Sequence, residues 1–235
     1  MSFLSRFTTV KMDLESLVYI SYLVPSGRVR QFVPRVLPLA SDEGGNAYVS
    51  FVAMRCRHVR LSGIPWPRFN YDQLNLRTYV SDPQTGAPAV YFLKSGVSIG
   101  IVPLITRLMG IPWEKISLNM DASSRPIYRA WGNWLGQVDF EIGSRVGEAL
   151  QEQVVRHLTG PMMGFMGGQG KLRRFRINHR SLEVHKAVLS YIRFPLPVEE
   201  GLVSETELQK PDSVLMVPEA EFTVYLPPHR VSERG

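Results

Sequence analysis

Polar and apolar positions alternate most clearly between residues 70 and 120. Gln73, Asn75, Arg77 and Tyr79 alternate with Leu74, Leu76, Thr78 and Val80, the period of two expected of a strand with unlike faces. Ser81-Asp82-Pro83 and Thr85-Gly86 carry turn chemistry, so residues 89–93 are expected to return antiparallel as a hairpin. Apolar side chains then recur at Ile101, Leu104, Ile105, Leu108 and Met109, the stripe of a short amphipathic helix. Pro103 is tolerated near its first turn, and Gly110 with Pro112 stops it. From Trp113 the alternation resumes as another strand.

The remaining chain reads less sharply. Residues 17–24 predict a first strand, and Val29, Phe32, Val33 and Leu37 a short helix broken by Pro34. A long strand is expected over 47–60. One face carries Val49, Phe51, Ala53, Arg55 and Arg57, the other Tyr48, Ser50, Val52, Met54, Cys56 and His58. A proline-rich loop at 63–68 and a turn at 123–126 follow from composition. Further strands are predicted at 137–142, 171–179 and 182–194, and a helix at 149–158. The Met- and Gly-rich segment 162–168 reads as flexible, its methionines suited to filling a core gap or packing on an apolar ligand. A polar excursion at 197–212 precedes closing strands at 214–217 and 222–226. About eight strands against three short helices indicate an α+β, mostly-β fold, one barrel or cone spanning 1–235 as a single domain.

Composition narrows the function classes. Apolar residues are 44% and charged residues 20% of 235, as in ordinary globular proteins. The single cysteine, Cys56, excludes an internal disulfide and a thiolate-cluster metal site. The first residues show no secretory signal pattern, and the longest apolar region, 97–113, is too broken to span a bilayer. A soluble cytoplasmic protein without membrane association is expected. The formal charge of +6 suits an anionic partner. Its basic groups, Arg55, Arg57, His58 and Arg60, and Lys171, Arg173, Arg174 and Arg176, accompany no nucleic-acid module, so solvated strand faces are the favoured reading and no nucleic-acid partner is expected. No dinucleotide fingerprint, phosphate loop or nucleophile elbow occurs.

Several pieces together resemble a known family. They are Phe32-Val33-Pro34, the strand 46–50, the Asn75-Leu76-Arg77 strand, the Gly110-Ile111-Pro112 exit, His157-Leu158-Thr159, Arg176-Ile177-Asn178-His179 and the closing strand through Tyr225-Leu226-Pro227. The chain resembles the YqjF-like family of uncharacterised conserved proteins, within the acetoacetate decarboxylase-like superfamily, as a divergent member. The resemblance implies a cone-shaped β-barrel with a few short flanking helices and a small-molecule pocket inside. In the decarboxylases a lysine pair follows the Gly-x-Pro turn, the first lysine forming a Schiff base with a β-keto acid. Trp113 and Glu114 occupy those positions here, and the nearest lysine is Lys115. The uncharacterised family's Glu-Arg-Tyr run after Leu-Thr is replaced by Gly160-Pro161-Met162, and its prolines and tryptophan after the His-His pair by Arg180-Ser181-Leu182.

Candidate chemistry follows from these residues. Lys115, beside Trp113, could form an imine if desolvation lowered its pKa, with Glu114 as its neighbouring carboxylate. Lys94 on the hairpin is a second candidate. A solvated or ion-paired role is the commoner one for such lysines. If Gln73, Asn75, Arg77 and Tyr79 face the barrel interior, Arg77 could hold a carboxylate while the amides bind a carbonyl or hydroxyl. If they face water they are surface residues; the pattern leaves both open. Arg55 is a further candidate contact, at a pocket rim or in solvent, and Trp113 another. His179, Glu183 and His185 lack diagnostic ligand spacing, so no metal is expected, and no cofactor is implied. The expected ligand is a small anionic or carbonyl-bearing organic molecule. The chain would be either a lyase acting on a keto acid or a non-catalytic binder using the same barrel. A second subunit could cover a flat strand edge.

Overall fold

The alternation of the strands decides which side chains enter the barrel and which lie outside it. The computed structural model describes residues 9–62, 68–122, 127–146, 153–168 and 170–231. In chain order it begins β1 (Thr9–Pro25), α1 (Ser26–Arg30), β2 (Asn46–Leu61), β3 (Phe69–Ser81), β4 (Pro88–Val97) and α2 (Ile101–Leu108). There follow β5 (Glu114–Lys115), β6 (Leu118–Asp121), β7 (Ile127–Gly132), β8 (Gly136–Arg145), α3 (Gln153–Thr159) and β9 (Met163–Met166). The chain continues with β10 (Arg173–His179), β11 (His185–Arg193), α4 (Pro195–Glu199), α5 (Glu205–Leu208), β12 (Ser213–Tyr225) and β13 (His229–Arg230). None of the described helices is long and apolar enough to cross a membrane.

β1 to β4 form an antiparallel meander. β9 joins β4 in parallel, β10 pairs with β9, and β12 pairs with both β10 and β1. Seven strands thus close on themselves, which removes the exposed edges of an open sheet. The sheet also continues from β12 through β11, β8 and β7 to β6, an outer layer that packs its apolar face on the barrel's outside. Leu74 and Leu76 of β3 enter that outer core with Leu118, Tyr128, Phe140 and Phe194. The opposite face of β3 enters the barrel, in a core with Tyr19, Val52, Met54, Tyr71, Tyr79 and Leu215. One strand therefore buries both faces, and its leucines do not mark the barrel interior.

Two local devices shape the barrel. Ser16 lies at φ 51 in β1, where the pairing with β2 shifts register between Glu15 and Val18, a bulge that bends the strand. At the end of α2, the Gly110 N–H donates to Arg107 O and the Ile111 N–H to Thr106 O. Gly110 there has φ +72, so Gly-Ile-Pro is a Schellman stop that returns Ile111 and Trp113 to the barrel.

The hairpin of β3 and β4, the long β2 and helix α2 follow the sequence pattern. Elsewhere the structure differs. The segment read as flexible, 162–168, contains β9, whose Gly164, Phe165 and Met166 are buried in the barrel wall. The first helix is α1, at Ser26–Arg30, and the apolar Val33 and Leu37 that suggested a helix are buried in the turns after it. The excursion at 197–212 holds the end of α4 and all of α5, and the two closing strands are one continuous β12. The strand from Trp113 is interrupted into β5 and β6, and β7 is an element the pattern did not announce. The expectations for residues 63–67, 123–126 and 149–152, and for the leading residues 1–8, lie outside the described residues.

Candidate functional site

The barrel is not filled. A cavity of about 200 Å³ opens at the end formed by Val10, Leu61 and Phe69 and runs inward to Arg77. From Phe69 to Arg77, β3 runs about 26 Å, so the lining side chains are ranked by depth. Gln73 lies opposite Met54, and Asn75 opposite Val52, which in turn faces Tyr19 across β1. Val102, Ile105 and Thr106 of α2, with Met109, Ile111 and Trp113 beyond it, complete the wall. Nearly all of the remaining lining is aliphatic, aromatic or methionine.

Arg77 is the buried cation of this space, 9% exposed. Its Nη2 donates to the Leu158 carbonyl at 2.7 Å and to the Tyr79 hydroxyl at 3.3 Å. The guanidinium carbon lies 5.0 Å from the Tyr19 ring centroid and 5.5 Å from that of Tyr79, within cation–π range. Nε is buried with no partner, and no carboxylate among the described residues forms an ion pair with Arg77. Burial works against its charge, but the phenol oxygens of Tyr79 and Tyr19 outweigh it and hold the pKa above the usual arginine value. Tyr19 is raised by its burial, against the opposing pull of Arg77. The cavity's deep end therefore presents a permanent positive charge surrounded by neutral groups.

Closer to the mouth, the Gln73 amide donates to Asn75 Oδ1 at 2.9 Å, and its carbonyl faces the Cys56 thiol at 3.7 Å. Burial pushes the Cys56 thiol up, so it stays protonated. The Trp113 indole Nε1 is buried and has no partner. Behind Arg77, Tyr79 is buried and donates to Leu158 O at 3.2 Å, so α3 plugs the inner end of the barrel.

The structure brings Gln73, Asn75, Arg77 and Trp113 into one cavity, with Tyr79 directly behind it. It does not bring the other candidates there. Glu114 and Lys115 are both exposed on β5, outside the lining. Lys94 pairs with Glu200 in the outer layer, 5.9 Å from the Trp134 ring centroid. Arg55 extends from the outer face of β2, 4.0 Å from Glu15. The neighbouring Arg57 pairs with Asp72 at 3.2 Å and Arg174 with the buried Asp82 at 2.5 Å, so these basic residues tie strands together. His179 stacks on Phe222, and His185 approaches Glu183 at 3.3 Å. No group of three metal-ligating side chains forms among the described residues. Tyr19 and the Leu158 carbonyl were missed from sequence. Alternation continued from Met12 and Leu14 would place Tyr19 outward, and the bulge at Ser16 turns it inward; a backbone carbonyl leaves no trace in residue type.

The family model for an uncharacterised conserved protein, DUF2071, matches residues 11–221, from β1 into β12. The chain belongs to this family. No curated protein matches the sequence significantly. Among solved structures, acetoacetate decarboxylase from Legionella pneumophila superposes with a TM-score of 0.62 at 12% identity, covering 96% of this chain and 87% of that one. An acetoacetate decarboxylase-like enzyme from Sphingomonas wittichii RW1 gives 0.62 at 10% identity, with coverages of 97% and 94%. The enduracididine biosynthesis enzyme MppR, complexed with pyruvate, gives 0.60 at 12% identity, with coverages of 96% and 91%. At these identities the likeness establishes the fold: this DUF2071 chain is an acetoacetate decarboxylase-like β-barrel.

Proposed function

We propose that the chain binds a small organic carboxylate in the barrel cavity, with Arg77 as its counter-ion. The observation that carries this reading is Arg77 itself, buried at the cavity's deep end with an unpartnered Nε and no acidic neighbour among the described residues. An uncompensated buried charge costs several kcal/mol, and a carboxylate facing the guanidinium offsets that cost with charge-assisted hydrogen bonds. Asn75 and Gln73, on the same face of β3, offer amides to a carbonyl or hydroxyl of the ligand. The complex of MppR with pyruvate, a carboxylate beside a carbonyl, supports the same ligand class for the fold.

Binding is favoured over imine chemistry. The described lining contains no lysine, histidine or carboxylate, so neither a Schiff base nor a strong general acid or base faces the ligand. A lyase reading through Lys115 and Glu114 rests on kinship of fold and requires both exposed side chains to turn inward.

Calorimetric titration with carboxylates and their matched amides tests the proposal. Carboxylates should bind and amides should not, and Arg77→Met should weaken carboxylate binding about 100-fold. Equal binding of acid and amide would overturn the anion assignment. Borohydride trapping with a panel of keto acids should leave Lys115 and Lys94 unmodified. A reduced adduct on Lys115 would transfer the assignment to an imine-forming lyase.

A further inference from the structure

The same cavity carries information about the rest of the ligand, and this step rests on the carboxylate reading above. Between Arg77 and the mouth, β3 offers the amides of Gln73 and Asn75, which already hydrogen-bond each other, and the phenol of Tyr71, while Arg60 of β2 lines the space beside Leu61. The walls around them come from Met12 and Leu14 of β1, Met54 of β2, and Phe92 and Phe175 of the far strands. A three-carbon keto acid held at Arg77 would leave most of that apolar length unfilled. A water column there would find few partners, and apolar cavities of this order stay dry and take up hydrocarbon. Met12, Met54, Met109 and Met166 all line the space, and unbranched thioether side chains adapt to ligands of variable shape. The inner face of α2 flanks the mouth, and its Val102 and Ile105, with Met109 just beyond the helix, add further apolar surface.

We infer that the ligand is an amphipathic monocarboxylate, its head at Arg77 and an unbranched hydrocarbon tail running toward α2. The pairing of one deep cation with a long apolar wall selects this class. A tail-less keto acid wastes the wall, and a neutral hydrocarbon leaves Arg77 without a counter-ion. Each methylene added within the wall leaves water for the apolar lining and should tighten binding about fourfold.

The test is a calorimetric series on the full chain with pyruvate, butanoate, hexanoate, octanoate and decanoate, with octanamide as control and Arg77→Met and Ile105→Trp as variants. The expected result is affinity rising about threefold to fourfold per methylene from butanoate to octanoate, with pyruvate the weakest acid. Ile105→Trp, at the partly exposed mouth, should weaken the longest acids and spare butanoate. Pyruvate and butanoate binding as tightly as octanoate, with Arg77 still required, would overturn the tail and leave the carboxylate site standing. Octanamide matching octanoate, or Arg77→Met binding octanoate undiminished, would overturn the carboxylate site and this assignment with it. Failure of every acid to bind would also overturn both.

Discussion

Arg77 is the residue at which function and stability pull apart. Its charge is buried without an acid partner among the described residues, so the empty barrel bears a desolvation cost that a ligand would relieve. Replacing it with methionine removes that charge. The Leu158 carbonyl, to which Arg77 donates, keeps the Tyr79 hydroxyl at 3.2 Å, so no buried acceptor is orphaned. Arg77→Met should therefore leave the ligand-free protein about 1–3 kcal/mol more stable, measured as a higher denaturant midpoint at unchanged slope. A saturating carboxylate should reverse the ranking, because only the wild type gains from binding. If Arg77→Met is instead less stable without ligand, Arg77 serves as a strut for α3 and the binding argument loses its premise. The same-face set of Gln73, Asn75, Arg77 and Tyr79 was legible in sequence because the strand is regular there. Its orientation was not, because β3 is buried on both faces and the alternation reads the same from either side.

At the scale of elements, β9 shows what the sequence concealed. Met163-Gly164-Phe165-Met166 has neither alternation nor β-branched residues, yet it bridges β4 and β10 and closes the barrel. Gly164 is there for space: a Cβ at this position would lie 2.5 Å from the Phe175 ring, and Phe175 lines the cavity. Gly164→Ala should push that ring into the cavity and destabilise the fold by about 1–3 kcal/mol through overpacking. A long-tailed ligand should lose more affinity than a short one. Unchanged stability and unchanged affinity would mean that the ring relaxes away from the cavity. The hairpin and α2 were readable because turn residues and a helical stripe are local signals. β7 and the split of β5 from β6 were not, since they are fixed by pairing with distant strands. The resemblance places Trp113 where the decarboxylases carry their Schiff-base lysine, and leaves Lys115 as the nearest lysine. The neighbouring Lys115 lies on β5, which pairs with β4 at Gly96 and Val97 and leaves both of its side chains exposed.

Across the whole molecule, two histidines report on the charge at Arg77. His157 of α3 sits 4.6 Å from the Tyr79 ring and 5.7 Å from that of Tyr48, centroid to centroid, while His179 stacks on Phe222 from β10. Burial lowers the pKa of each below the usual 6.5, and the Arg77 charge lowers it further, although the Arg180 carbonyl partly opposes this at His179. A depressed folded pKa means that the unfolded chain takes up these protons first as pH falls. Their contribution to stability is full above the usual 6.5 and drains away as pH drops from there through the lowered folded values. His157→Phe keeps the ring contact without the proton and should flatten that slope. A bound carboxylate acts in the opposite direction. By neutralising Arg77 it removes one cause of the depression, so both histidines should gain proton affinity on binding. Linkage then requires that binding take up protons, and that affinity rise as pH falls from about 7 to about 5, above the range where the ligand itself protonates. Titration in two buffers of different ionisation enthalpy measures the proton count directly. Uptake that is reduced in His157→Phe would locate the ligand's charge beside Arg77, at the inner end of the barrel that α3 plugs. Net release of protons would mean that the carboxylate binds elsewhere.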